Sequence, residues 1–258
     1  MKTFIANSWS IARRDFRTYF TSPIAYIVMG GFLGIMGWMF FNHLQHFAME
    51  QFRSQQMNMG RGVSLTDAIV RPLFGNMNVI LLFMIPFITM RLFAEEKKNH
   101  TLELLMTAPV SLTEIIMGKF LSSLLFVVVM LALTSVYPIV LFVTSTPDPG
   151  PITASYIGTV LMAASYLAVG ILFSSMTENQ IVAGSLTFAT TLFFWLINWA
   201  AMSAGPVWGD VLNYLSLIGH FNNFGQGVLN TSDIVFYLSF TGVSLFLTHR
   251  ILDSYRWR

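Results

Sequence analysis

The sequence has no cysteine and few charged residues for its length. Of its 258 residues, 10% are Asp, Glu, Lys or Arg, and the mean hydropathy is +0.64; an average soluble domain is about 25% charged. The missing cysteines exclude disulfide bonds, thiolate metal sites and thiol catalysis. The scarcity of charge, together with 55% hydrophobic residues, excludes an ordinary soluble domain and indicates an integral membrane protein.

The charges that remain leave six runs without any Asp, Glu, Lys or Arg, and each run predicts a membrane-spanning helix. Because about 20 helical residues cross the hydrocarbon core, six spans and their connections use most of the chain. No room is left for a soluble catalytic domain, and we expect one all-α transmembrane domain over residues 1–258. The six runs are 23–42, 72–90, 120–143, 152–176, 181–202 and 234–248.

Residues 1–22 carry no pattern of a cleavable signal and predict an amphipathic helix. Such a helix would lie flat in the lipid headgroup region, with aromatic side chains on one side and arginines on the other. The alternative is a loose basic leader that only sets orientation. The apolar stripe comprises Ile5, Trp9, Ala12, Phe16 and Phe20, and the basic residues mostly off the stripe are Lys2, Arg13, Arg14 and Arg17.

The distribution of Lys and Arg predicts the orientation of the spans. With six spans, both termini share one side of the membrane with residues 91–119 and 177–180. Eleven of the 14 basic residues fall on that side, and only Arg53, Arg61 and Arg71 fall on the other. Cytoplasmic loops carry the excess of basic residues. Both termini are therefore expected in the cytoplasm, at a cell inner membrane.

Residues 91–119, between the second and third runs, hold eight of the 26 charged residues of the chain. Leu102, Leu105 and Met106 predict one apolar face of a short helix, from which Glu103 projects elsewhere. Pro109 ends that helix, since the residue before a proline disfavours the helical region. A solvated loop has no need of these apolar residues together, so the segment is expected to dock a cytoplasmic partner.

A second helix is expected to start directly after Pro109. Ser111 and Glu114 have the spacing of a capping box, which satisfies free amide groups at a helix start. That helix would continue into the third span. At the other cytoplasmic loop, residues 177–180 are so few that the fourth and fifth spans must lie side by side.

Two weaker patterns lie on the expected external side. His43 and His46, with Met49, Met57 and Met59, could bind copper through nitrogen and thioether groups; a pair of interfacial histidines is the favoured interpretation. Ser64 and Asp67 look like the cap of a short external helix that holds Leu65, Ala68 and Ile69. His220 is expected to be packed or hydrogen-bonded rather than a ligand.

Several short motifs of residues 95–120 resemble those of ABC-2 type exporter permeases. They are the acidic pair Glu95-Glu96, the run Thr101-Leu102-Glu103-Leu104-Leu105, then Pro109-Val110-Ser111, Glu114-Ile115 and Gly118-Lys119-Phe120. The resemblance covers the whole chain. Within the family the chain looks most like the gliding-motility-associated permease and the membrane subunit of the copper-enzyme maturation transporter.

The resemblance implies that two permease subunits, identical or homologous, pair with two cytoplasmic ABC ATPase subunits. Residues 101–108 would form the main coupling helix, which includes Thr101, Leu102, Glu103, Leu105 and Met106. Glu95 and Glu96 would contact or face the ATPase cleft, and the loop holding Glu178 would form a second contact. The helix with Trp9, Arg13, Arg14, Phe16 and Arg17 would be the connecting helix.

ATP and Mg²⁺ would be bound by the partner ATPase, because this chain has no Walker A pattern: Gly118-Lys119 is followed by Phe120 and lacks the upstream glycine. No catalytic residue, metal, cofactor or nucleic acid is expected here. An external partner domain would fit the gliding-type relatives.

The resemblance also covers residues 203–232, where the family has an external or re-entrant helical hairpin before the last span. At or next to the positions where the family pattern has charged residues, this sequence has uncharged amides: Asn222, Asn223, Gln226 and Asn230. This departure removes the expected ion pairs. The last run has only 15 residues, so we expect it to start near the surface or to use Val228 and Leu229 as well.

Three functions follow from these patterns. The first is the transport subunit of an ABC exporter, with an amphiphilic or polymeric cargo, since the spans lack the ionisable groups of an ion pathway. The second is a membrane anchor or force-transmitting subunit that moves no solute, as in a gliding-type or maturation complex. The third, a self-contained channel, would need no ATPase.

Overall fold

The computed structural model describes residues 2–56, 64–103 and 110–255, and these residues form helices with no strand. Six stretches within them are long and apolar enough to cross a membrane, which confirms the all-α membrane fold. In chain order the helices are α1 (Lys2–Thr21), α2 (Pro23–Gln56), a π-helical turn (Thr66–Val70), α3 (Arg71–Thr89), α4 (Ala94–Lys98), α5 (Leu112–Leu133), α6 (Val136–Thr144), α7 (Pro149–Met176), α8 (Gln180–Ser203), α9 (Pro206–Leu215), α10 (Leu217–Gly225) and α11 (Thr231–Tyr255).

The bundle has two distinct ends. At one end α1 packs against the start of α5, and the last turn of α11 reaches α4, where the Lys97 ammonium lies 3.5 Å from the centre of the Tyr255 ring. Because both ends of the described chain meet there, we call it the termini end. The opposite end carries α9 and α10 and is called the hairpin end.

Helix α7 is the most enclosed of the spans and packs against α3, α5, α8, α10 and α11. Small residues on α7 allow these close contacts. A Cβ atom at Gly158 would overlap the Phe224 ring, and one at Gly170 would overlap the Thr89 side chain. Tyr166 of α7 and Tyr237 of α11 fill the space between the helices. The middle of a single chain is therefore packed rather than hollow.

The expected N-terminal helix is α1, but its apolar stripe is divided between two environments. Ala12 is fully buried, whereas Ile5 and Trp9 are more than half exposed. The face that packs on α5 is centred nearer Ser8 and Ile11, which meet Gly118. Only the exposed part of the stripe is available to lie in the lipid headgroup region.

Two predicted span boundaries are wrong at the ends farther from the termini end. Helix α2 does not end near Asn42; it continues to Gln56, so His43 and His46 are helical. Likewise α3 is preceded directly by the π-helical turn and not by a separate capped helix. The Ser64 side chain does not cap this turn. Its backbone carbonyl instead accepts a helical hydrogen bond from the Ala68 amide.

The third span is broken, which the sequence pattern did not predict. Helix α5 ends at Leu133 and α6 begins at Val136. The amide groups of Thr134 and Ser135 bond to carbonyls three residues back, which is a tighter turn than the α-helix. Pro138 has no amide to continue the ladder, and this explains the break.

The last span extends in the direction opposite to the one expected. Val228 and Leu229 precede α11 and do not belong to it, because Gly227 has a φ of 82° and turns the chain out of α10. Helix α11 instead continues beyond Thr248 to Tyr255. The hairpin before this span is helical as expected, with α9 and α10 as its two arms.

Candidate functional site

At the termini end, α4 is tied to the last turns of α7 by hydrogen bonds. The Ser174 hydroxyl accepts from the backbone amides of Phe93 and Ala94, at 3.0 and 3.1 Å, and donates to the Met90 carbonyl at 3.2 Å. A serine of one span thus satisfies amide groups at the start of a short helix that follows another span.

Lys97 extends this attachment to α11. Its buried ammonium group donates to the Ser175 carbonyl at the end of α7 and lies over the Tyr255 ring. A cation over an aromatic face is attracted by the electron density of the ring. Helix α4 is therefore held to two spans, and a displacement of α4 must also move the ends of α7 and α11.

Lys119 connects α4 with α5 and α1. Its side chain is only 5% exposed, and its ammonium group lies 2.6 Å from Glu96 Oε1 and 3.8 Å from Asp15 Oδ2. The Asp15 carboxylate also pairs with the exposed Arg14 at 2.9 Å. A buried ammonium group needs such partners, since burial of an unpaired charge costs several kcal/mol.

Glu114 makes a second connection between α1 and α5. The capping box predicted at Ser111 is confirmed: the Ser111 hydroxyl accepts from the Glu114 amide, and a carboxylate oxygen of Glu114 accepts from the Ser111 amide at 2.7 Å. The other oxygen of Glu114 accepts from the Asn7 amide group at 3.2 Å. The start of α5 is thus fixed and also holds α1.

Some of the expected coupling residues are exposed to solvent, and others face the interior of the protein. Glu95, Thr101 and Glu103 are exposed, as is Lys98 between them. Leu102 is buried and packs in the hydrophobic core. Glu96 is half-buried against Lys119, so it faces the protein rather than the solvent. Leu105, Met106 and the Pro109 boundary lie outside the described residues.

The second expected contact loop lies at the same end, directly after Ser174 and Ser175. Glu178 is exposed there. Asn179 caps α8 by accepting from the amides of Ile181 and Val182, at 2.9 and 3.4 Å. Arg13, Arg14 and Arg17 of α1 are also exposed, Trp9 is more than half exposed, and Phe16 is half-buried.

No spacing pattern in the sequence identifies the residues that hold this end together. Asp15, Lys97, Ser174 and Ser175 looked like ordinary loop or span residues, and no spacing rule connects positions about 80 residues apart. A weak signal was present: serines next to each other in an apolar helix have free hydroxyl groups that need partners in a membrane.

The hairpin end holds a separate buried network. His220 Nδ1 and Asp233 Oδ1 are 2.6 Å apart, and the Asn223 amide group donates to Asp233 Oδ2 at 2.8 Å. His220 Nε2 lies 2.9 Å from the Tyr214 carbonyl oxygen, and the ring stacks on Phe236. His220 is hydrogen-bonded as expected, and Asp233, in the first turn of α11, supplies a carboxylate to a hairpin from which ion pairs were expected to be missing.

The copper interpretation of the histidines gains no support from the geometry. His43 Nε2 is 3.2 Å from the Asn76 amide nitrogen of α3, a contact between neighbouring spans. In the part of the chain that the structure describes, no three His, Asp or Glu side chains come close enough together to hold a metal ion. Met57 and Met59 lie outside that part.

Comparison with known families agrees with this architecture. The family model described as ABC-2 family transporter protein matches residues 9–251, which is nearly the whole chain. A comparison with curated proteins gives no match. Because the family match includes all six spans and the charged residues of the termini end, the chain belongs to the ABC-2 family of transporter proteins and is a multi-pass membrane component of an ABC transporter.

Proposed function

We propose that the chain is the permease subunit of an ABC exporter, and that a separate ATPase docks on the exposed residues of the termini end. The surface consists of Glu95, Lys98, Thr101 and Glu103, with Glu178 on the neighbouring loop, and we call it the docking surface. It is polar and charged, as the rim of a reversible protein interface is.

The observation that carries the proposal is the scaffold directly beneath the docking surface. Lys97 and Ser174 tie α4 to α7 and α11, and Lys119 ties it to α5 and α1. Packed helices with fixed contacts move as units rather than deform. A partner that pulls on α4 would therefore shift the ends of several spans together, which is what conversion of ATP hydrolysis into movement requires.

The partners and cofactors follow from the family. The ATPase would act as a dimer that binds ATP and Mg²⁺, and a second permease subunit, identical or homologous, would complete the transporter. We place the termini end in the cytoplasm at the inner membrane, because eleven of the 14 basic residues lie on its side. A maleimide reagent that cannot cross membranes tests this orientation, since the chain has no cysteine of its own.

Two single-cysteine variants complete the orientation test. Glu103→Cys should react in inverted vesicles and not in intact cells, whereas Val207→Cys at the hairpin end should react in intact cells. Both side chains are exposed. The reverse labelling pattern would contradict the orientation.

Co-purification tests the docking surface. The tagged chain should retain an ABC ATPase, identified by mass spectrometry, and Glu95→Arg with Glu103→Arg should reduce its recovery at least tenfold by reversing two charges. Asp210→Arg is the matched control, because Asp210 is exposed at the hairpin end. Equal recovery from all variants would contradict docking at this surface, whereas recovery of no ATPase even with the unmodified chain would favour a self-contained channel.

The cargo is proposed to be amphiphilic or polymeric. The six predicted runs contain no Asp, Glu, Lys or Arg, and Tyr166 and Tyr237 fill the middle of the chain. A cargo would therefore pass between two subunits or along a face turned to lipid. Stimulation of the ATPase by a purified lipid or polymer would support transport.

The packed interior of the chain is equally consistent with a non-transporting anchor that transmits force to an external partner, as in gliding-type or maturation complexes. In that case ATPase activity would respond to the external partner and to no cargo. The decisive measurement is ATPase activity of the reconstituted complex with each candidate added separately.

A further inference from the structure

A cavity of about 600 Å³ lies at the termini end between α1, α2, α3 and α5. Small-molecule sites typically enclose about 300–1,000 Å³, so the volume is that of a ligand site and far exceeds a single buried water. Phe87 and Arg91 of its wall are exposed, so the cavity opens at the surface along the end of α3. Tyr19 of α1 and Glu96 of α4 are part of its wall.

The wall of the cavity has an apolar and a polar part. Val28, Phe87, Ile88 and Phe126 line it from the side of the spans, and charged residues line it from the side of α4. Three carboxylates, those of Asp15, Glu95 and Glu96, face two cations, those of Arg91 and Lys119. This division matches a molecule with a hydrocarbon part and a charged head.

Two buried polar atoms of the wall have no hydrogen-bond partner among the described residues: Tyr19 Oη and Glu96 Oε2. A buried polar atom without a partner costs about 1–3 kcal/mol, and more when it is charged. Glu96 Oε1 is occupied by Lys119, so Oε2 still needs a donor. Burial, and secondarily the Asp15 carboxylate, raises the pKa of the Tyr19 hydroxyl, which therefore stays protonated and can donate.

We propose that this cavity binds the head group and upper acyl chain of an aminophospholipid from the leaflet at the termini end. The primary ammonium would donate to Glu96 Oε2 and face Glu95, while the phosphate would accept from Tyr19 and Arg91. The acyl chain would lie along Val28, Phe87 and Phe126. Neither the family match nor the docking surface assigns a ligand to this cavity.

The charges of the wall favour this lipid over other phospholipids. A choline head group has no N–H to donate to Glu96 Oε2, so it leaves that oxygen unpaired. An anionic glycerol lipid brings a phosphate but no cation to a wall that has one carboxylate more than it has cations. A soluble molecule would leave the apolar wall in contact with water.

The test is lipid binding to the full-length purified chain in detergent, measured by native mass spectrometry. Phosphatidylethanolamine should bind saturably and at least fivefold more tightly than phosphatidylcholine or phosphatidylglycerol of the same acyl chains. Soluble phosphoethanolamine should bind more weakly still. If phosphatidylcholine or phosphatidylglycerol binds as tightly, or phosphoethanolamine equals the lipid, the proposal is wrong.

Three variants locate the binding. Tyr19→Phe removes only the hydroxyl and should weaken phosphatidylethanolamine binding about fivefold, the effect of one hydrogen bond. Val28→Phe fills the apolar part and should abolish saturable binding. Ile27→Phe is the matched control, because Ile27 is the neighbouring residue, is exposed and does not line the cavity.

Melting temperatures in detergent show whether each variant is folded, and Tyr19→Phe should melt no lower than the unmodified chain because its hydroxyl has no partner to lose. Unchanged lipid binding by both Tyr19→Phe and Val28→Phe would overturn the proposal. An equal loss in Val28→Phe and Ile27→Phe would overturn it as well. None of these measurements involves the ATPase, so their outcome is independent of the docking surface.

Discussion

Both ends of the bundle bury a carboxylate or ammonium group next to a side-chain partner, but they surround it differently. At the hairpin end every polar atom of the His220 and Asp233 side chains has a partner, and the ring stacks on Phe236. At the termini end Lys119 and Glu96 border a cavity, and one Glu96 oxygen has no partner among the described residues.

The difference suggests different tasks for the two ends. A fully hydrogen-bonded buried network is rigid and specifies one arrangement. A charged pair beside an open cavity can exchange its partners for water or for a ligand at lower cost. We infer that the hairpin end holds the shape of the protein, while the termini end is built to bind and to move.

The largest expected effect tests the rigid end. Asp233→Ala should destabilise the protein by about 3–5 kcal/mol, because the buried His220 and the half-buried Asn223 both lose their acceptor, at about 1–3 kcal/mol each. The measurement is the melting temperature of the purified chain in detergent. Asp210→Ala in the same hairpin is the control, since Asp210 is exposed and should change stability by less than about 0.5 kcal/mol. Equal melting temperatures of the two variants would show that the network around Asp233 does not make the hairpin end the more rigid one.

The next effect tests the open end with an equivalent deletion of charge. Lys119→Leu should cost about 2–3 kcal/mol, less than Asp233→Ala, because water in the cavity can reach Glu96 and Asp15. The double variant Lys119→Leu with Glu96→Leu should recover part of that loss, since an apolar pair leaves fewer buried charges. A loss as large as that of Asp233→Ala would show that the termini end is as closed as the hairpin end.

The division between the ends could be predicted only in part from the sequence. Charge-free runs locate the spans, and the Ser111 to Glu114 spacing located a real capping box, because these signals are local. The break between α5 and α6 and the length of α11 were missed. Pro138 acts through one absent hydrogen bond, and α11 continues at least to Tyr255, whose ring contacts Lys97, a contact that depends on the fold.

The candidate site was predictable to a similar extent. The charge in residues 91–119 predicted a docking segment, which stays a prediction, and Glu95 and Glu103 are exposed as such a segment requires. The amphipathic pattern could not show that Glu96 turns inward to Lys119, since both sides of a one-turn helix look alike in sequence. The contacts of Ser174 with Phe93 and Ala94 join residues about 80 positions apart, and no periodicity encodes them.

A smaller effect tests whether the helices of the termini end are loosely packed throughout or only around the cavity. Gly170→Ala should destabilise the protein by about 2 kcal/mol, because the new Cβ atom would overlap the buried Thr89 side chain where α3 packs on α7. Gly242→Ala is the control, as its Cβ atom would meet nothing within 4 Å. If Gly170→Ala and Gly242→Ala have the same melting temperature, α3 and α7 can move apart to accommodate the added atom, and their contact is not tightly packed.

The smallest expected effect concerns the capping box that anchors α5 beside the cavity. Ser111→Ala should cost about 1 kcal/mol, since the Glu114 amide loses its acceptor. Hydrogen exchange should rise in the first turn of α5 and in the part of α1 that Asn7 holds through Glu114. Ser10→Ala is the matched control, because the Ser10 hydroxyl donates only to the Ala6 carbonyl within α1. Faster exchange that stays within α5 would mean that Glu114 holds α1 through Asn7 without help from the cap.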